Sequence, residues 1–86
     1  MLIHIGWNMT VSLDRVLCIL SAKTVQAAKQ TKDIIDRARR EHRFTPCPDQ
    51  EKAYVLLTGQ DGAVQVIASS ISPSTLRKRL ERPEWE

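Results

Sequence analysis

The chain is poor in the residues that build reaction centres. Its two cysteines, Cys18 and Cys47, form no CxxC pair, and with the two histidines, His4 and His42, they show no metal-ligand spacing. Its three glycines make no phosphate-cradling loop, and neither a GxSxG nor an HExxH motif is present. The acidic residues are scattered among cationic neighbours rather than paired for acid–base work. These gaps predict a protein that is not an enzyme and has no metal, cofactor or small-molecule substrate. Long apolar runs are missing too. None reaches the roughly 18 residues a membrane span needs, and no charged start leads into a signal-type apolar stretch. The expectation is a soluble, cytoplasmic protein without a membrane partner.

The 86 residues read as one domain, 1–86, with 42% hydrophobic residues and a formal charge of +3. A chain this short buries only about 60–65% of its unfolded surface and is marginal alone. The charge is sorted along the chain. Residues 29–43 hold six Lys/Arg against Asp33, Asp36 and Glu41, and residues 76–86 hold four against Glu81, Glu84 and Glu86. Between them, residues 44–75 carry only Lys52 against Asp49, Glu51 and Asp61. Both basic stretches fall on predicted helices, so an anionic partner is compatible with the charge pattern but not required by it.

In chain order, Leu2–Ile5 reads as a short strand ending at Gly6, Trp7-Asn8 as a turn, and Met9–Ser12 as a second extended piece. Leu13-Asp14-Arg15 is a tight corner before Val16–Leu20, the strongest strand signal, in which Cys18 is expected to be a buried thiol. Ser21 or Thr24 caps a helix running to about Glu41. Ala27, Ala28, Thr31, Ile34, Ile35 and Ala38 form its apolar stripe. The arginines crowding its C-terminal end suit the helix dipole, and His42 ends it in solvent. Phe44–Gln50, with Pro46 and Pro48, is a loop or edge piece holding Cys47, for which no disulfide is expected. Ala53–Leu57 and Ala63–Ile67 flank Thr58-Gly59-Gln60-Asp61-Gly62 as a β-hairpin.

The closing segment Val64–Arg82 is the most tightly specified. A strand leads to Ser72-Pro73, a cap followed by the first helical position, with Ile71 and Leu76 spaced as a hydrophobic staple. Leu76 and Leu80 share one helix face; Lys78 and Arg82 point away from it, with Arg77 and Arg79 on the flanks, before Pro83 ends the helix. The same spacing describes a solvated amphipathic terminal helix.

The resulting class is α+β: a small antiparallel sheet with one long helix and one short C-terminal helix. Val16–Leu20 and Ala53–Leu57 are apolar throughout, which calls for cover on both sheet faces. The long helix covers one. Either the C-terminal helix or another subunit covers the other, and a homo-oligomer is the favoured expectation.

Several of these segments resemble a known family. The opening strand and glycine followed by Val11-x-x-x-Arg15-Val16, the helix stretch Asp33-Ile34-Ile35-Asp36-Arg37-Ala38-Arg39, and Ser69-Ser70-Ile71-x-Pro73-x-Thr75-Leu76-x-x-Arg79 are similar to the bacterial extracellular-matrix regulators RemA and RemB. Their order and spacing match over nearly the whole chain, and the Ile3-His4-x-Gly6 start and Thr75–Arg79 ending are closer to RemB. The resemblance implies a cytoplasmic regulator of biofilm-matrix genes that binds double-stranded DNA, assembles into ring-like oligomers and has a fold likened to the LytTR DNA-binding domain. It carries a functional arginine over to Arg15. Where RemA has an arginine-rich loop, this chain reads Asp49-Gln50-Glu51-Lys52, keeping only Lys52 of the charge. The chain is also about one helical turn longer ahead of its Ile-Ile pair.

The candidate DNA-binding residues are therefore Arg15, Lys52, Arg77, Lys78, Arg79 and Arg82. Phosphate contacts repeated round a ring would give affinity with little base reading. The alternative is an oligomeric scaffold or protein-interaction module with weak or no DNA binding, favoured by the acidic loop.

Overall fold

The computed structural model describes residues 2–6, 9–59 and 62–81. The Trp7-Asn8 turn, Gln60-Asp61 of the hairpin loop, Arg82 and the stop at Pro83 lie outside the described residues. Two short strands, β1 (Leu2–His4) and β2 (Thr10–Ser12), pair antiparallel as a separate ribbon. A 3₁₀ turn at Leu13–Arg15 then delivers the chain to β3 (Val16–Ser21). Two helices follow, α1 (Ala22–Ala27) and α2 (Lys29–Arg40), then β4 (Phe44–Thr45), β5 (Ala53–Thr58), β6 (Val64–Ser69) and α3 (Pro73–Glu81). The main sheet has the order β3-β5-β6-β4. It is antiparallel except for β4, which pairs parallel to β6 over two residues. The α+β class with a small, largely antiparallel sheet is the one read from the sequence.

The β5–β6 hairpin forms with the expected partners, from Thr58↔Val64 to Ala53↔Ser69. Gly62 turns it at φ +83°, a left-handed conformation that costs glycine little. At the other end of β6, Ser72 Oγ accepts from the Thr75 N–H at 3.3 Å, and Leu76, the staple residue, is fully buried.

The long helix is broken. Ser21 caps it as read, accepting from the Lys23 N–H at 3.2 Å, but Ala28 is extended (φ −115°, ψ 111°) and separates α1 from α2. Alanine is the best helix former, so the break has no local cause. It comes from packing: α1 contacts β3, whereas α2 crosses to β6 and β4 at the opposite side of the sheet. The break also resets the phase of the stripe. Ile35 and Ala38 are buried as expected, but Ile34 is 50% exposed and Ala27 faces solvent.

Both faces of the sheet are covered within one chain. On one, Ala22, Val25, Ile35 and Ala38 from the helices pack on Tyr54, Leu56, Val66 and Ala68. On the other, Ile3, Ile5 and Val11 from the β1–β2 ribbon and Leu76 from α3 pack on Ile19, Val55, Leu57 and Ile67. Buried Ser69 fastens that layer, donating to the Ile5 carbonyl at 2.5 Å and accepting from the Ile71 N–H. The ribbon joins the C-terminal helix as cover, so no whole face is left over to require a second subunit.

One strand does not keep the cover its sequence asks for. β3 lies at the sheet edge, and its register slips between Val16 and Cys18. Cys18 is consequently exposed rather than buried, and both cysteines are free thiols. Leu17, beside it, is 53% exposed. The bulge turns an apolar strand partly outward.

Candidate nucleic-acid interface

The predicted cations fall into two groups with different employment. Arg15, in the 3₁₀ turn, donates from Nε and an Nη to the Thr58 carbonyl at 3.0 and 2.8 Å, pinning the corner to the end of β5. Arg79 donates to the His4 carbonyl at 2.7 Å and ties α3 to the ribbon. Lys52, Arg77 and Lys78 are exposed. The set is not one cluster: Lys52 precedes β5 and Thr58 ends it, so Arg15 and Lys52 stand about 20 Å apart along the strand.

Around Lys52 the chain is firmly built. Its N–H donates to the Ser69 carbonyl at 2.8 Å, and its carbonyl accepts from the Ala22 N–H at 3.0 Å. The main chain of Lys52 thus joins the start of α1 to the end of β6, next to the lead into α3. A cavity of about 540 Å³ opens where these segments meet. Lys52 and Lys23 line it with Gln26, Gln50, Ser72 and Pro73. Arg77 lies four residues beyond Pro73, on the same helix face one turn on. Lys23, Lys52 and Arg77 therefore form a basic strip across three elements. Lys23 was not singled out from the sequence, because only the sheet topology brings it beside Lys52 and α3.

The acidic loop is partly neutralised from within. Glu51 accepts from the Tyr54 hydroxyl at 2.9 Å and lies 3.6 Å from the Arg39 guanidinium, which stacks 4.4 Å over the Phe44 ring. Asp49 is exposed. At the end of α2, Glu41 stands between Arg37 (3.0 Å) and Arg43 (2.6 Å), and Arg43 also donates to the Val64 carbonyl. These arginines do more than complement a helix dipole: Arg43 and Arg39 fasten α2 to the sheet and to the loop before β5.

Two titrations follow. Hydrogen bonds from Arg43 and then Arg37 hold the Glu41 carboxyl below its ordinary value of 4.5, while burial first, and the Glu51 hydrogen bond second, raise the Tyr54 phenol above 10.0. For Glu41 the stabilisation is present above about pH 4.5 and is lost as acid protonates the folded carboxylate. For Tyr54 the folded chain keeps a proton that the unfolded chain sheds, so stability falls as pH rises above about 10. Chemical denaturation across pH should show both limbs. Tyr54→Phe should abolish the alkaline limb, and Glu41→Gln should reduce the acid one.

A separate expectation concerns Arg15. Arg15→Ala should lower stability by about 0.5–1.5 kcal/mol, the worth of an exposed fork on one carbonyl, as read by urea denaturation.

Among the described residues, no group of histidine, cysteine or acidic side chains is placed to hold a metal ion, and no helix is long and apolar enough to cross a membrane. The fold and its surface define a small α+β domain that presents a strip of exposed cations from three elements. The chain matches the RemA-like family, described as extracellular matrix regulatory protein A-like, over residues 2–80, and it belongs to that family of extracellular matrix regulatory proteins. No curated protein matches it.

Proposed function

We propose that the chain regulates matrix genes by binding double-stranded DNA through phosphate contacts, as a ring-like homo-oligomer without enzymatic activity. The observation that carries this reading is the strip Lys23–Lys52–Arg77, with Lys78 beside it. These cations are exposed, come from separate elements, and are set around a rigid main-chain junction. Arg15 and Arg79 act at one remove, holding the corner and α3 in place.

Each subunit offers few cations, and a ring multiplies them by avidity. Phosphate contacts make affinity fall with salt, by about 0.9 in logarithmic slope per contact. Gln26 and Gln50 border the cavity rather than standing on a helix shaped to enter a groove, so base reading has little support. A ring of repeated phosphate seats would instead favour bent or phased DNA.

The second reading, a scaffold that binds another protein, has its own observation. Two of the six predicted cations donate to main-chain carbonyls, and the acidic Asp49 remains exposed near the strip. Gel shifts of the purified chain on unrelated duplexes separate the two. A shift on all of them at low salt that fades at physiological salt supports DNA binding, and no shift on any supports the scaffold.

A further inference from the structure

Among the described residues, the large hydrophobic side chains left exposed are Leu2, Leu17 and Ile34. Their placement is not random. Leu2 pairs with Ser12, the residue ahead of the 3₁₀ turn, and Leu17 follows that turn on β3. Both therefore belong to the corner between ribbon and sheet, beside exposed Cys18. β3 is an edge strand, so its outer N–H and C=O groups have no strand beyond them. This corner is an apolar projection on an open edge.

Ile34 lies at the other side of the sheet. It borders a groove of about 360 Å³ between α2 and the start of β6, floored by Ala38, Val64 and Val66. The groove exists because β4 pairs only with Val66 and Ile67, leaving the first part of β6 without a strand on that side. Projection and groove also lie at the same end of the sheet, since Val16 pairs with Leu57 and Val64 with Thr58. The charges agree in sign. Arg37 and Arg43 share the single carboxylate of Glu41 at the groove rim, leaving an excess cation, and Asp14 is exposed in the turn before Leu17.

We infer that the Leu2–Leu17 corner of one subunit seats in the Ile34 groove of a second copy of this chain. The inference rests on the proposed ring and names its contact. A patch that met its own copy would give a closed two-fold dimer. Here two different surfaces on opposite edges meet head to tail, and such a contact repeats until it closes into a ring. The contact engages the Thr58 end of the sheet and leaves the opposite end, with Lys52, outside it, so the basic strip recurs once per subunit.

Light scattering on Leu17→Glu and Ile34→Glu tests this, with far-ultraviolet circular dichroism as the check on folding. Each variant alone should fall to the monomer mass. Mixed in equal amounts, they should form a heterodimer, because one retains an intact groove and the other an intact corner. If either variant loses its fold, Leu17→Thr and Ile34→Thr replace the pair. Should the parent assemble while both variants assemble equally well, the inferred contact is wrong and the ring stands. Monomeric variants that stay monomeric when mixed overturn the head-to-tail arrangement. A parent that is monomeric across micromolar concentrations overturns the ring itself, and the contact with it.

Discussion

Replacing Lys23, Lys52 and Arg77 together by alanine is expected to weaken binding to all duplexes almost equally. It should also flatten the salt dependence by about 0.9 in logarithmic slope for each phosphate contact removed. All three side chains are exposed, so circular dichroism should show the fold intact. The uniformity across sequences is the informative part. Loss of base contacts would penalise some sequences and spare others, whereas loss of phosphate contacts cannot discriminate. Avidity enlarges the effect, because a substitution in one subunit is repeated in every subunit of a ring. Arg15→Ala serves as the comparison. Its guanidinium holds the Thr58 carbonyl about 20 Å from Lys52 along β5, so it should leave the slope unchanged. An Arg15→Ala slope change as large as the triple variant's would place the interface at the corner instead.

The second large effect is on stability. Ile35→Ala should cost about 2–5 kcal/mol, read as a shift in the urea midpoint. Ile35 is 2% exposed and packs with Ala38 from α2 and Tyr54, Leu56 and Val66 from the sheet. Removing its outer methyls leaves a cavity that a short helix anchored at both ends closes only in part. Out of a total of about 4–13 kcal/mol for 86 residues, such a loss leaves a substantial unfolded fraction. Ile34→Ala, measured where the chain is monomeric, should stay within about 0.5 kcal/mol, as for an exposed site. The contrast between neighbours fixes the phase of α2; equal costs would mean that the helix is rotated from the structure described.

How much of this was legible in the chain depends on how local each determinant is. The β5–β6 hairpin and the Ser72 cap were read correctly because glycines, a proline and a serine specify them within a few residues. The break at Ala28 was invisible, since every residue from Ala22 to Arg40 tolerates a helix. What divides it is the need to pack one half on β3 and the other on β6 and β4. The error over Ile34 is a consequence of that break. Cys18 was misread for a related reason: an apolar run shows that a strand is able to be buried, not that it lies at an edge with a bulge.

The candidate site divides in the same way. Lys52 and the cations of the terminal helix stood out by type and charge run. Lys23 did not, because its neighbours there come from positions 50–52 and 72–73, and only the fold makes them neighbours. Nor does charge alone distinguish an arginine that faces solvent from one that clamps a carbonyl. Arg15 and Arg79 matched the resemblance yet spend their donors inside the subunit. The resemblance itself rested on motifs spread along the chain, and the family match over residues 2–80 covers them.

The central claim is that an exposed basic strip, repeated by assembly, binds the DNA backbone. Fluorescence anisotropy of the purified chain on two labelled duplexes of unrelated sequence, titrated across a range of salt concentrations, tests it most directly. The account predicts binding to both at low salt, with equal logarithmic slopes of several contacts' worth at about 0.9 each. No change in anisotropy on either duplex at low salt would contradict it.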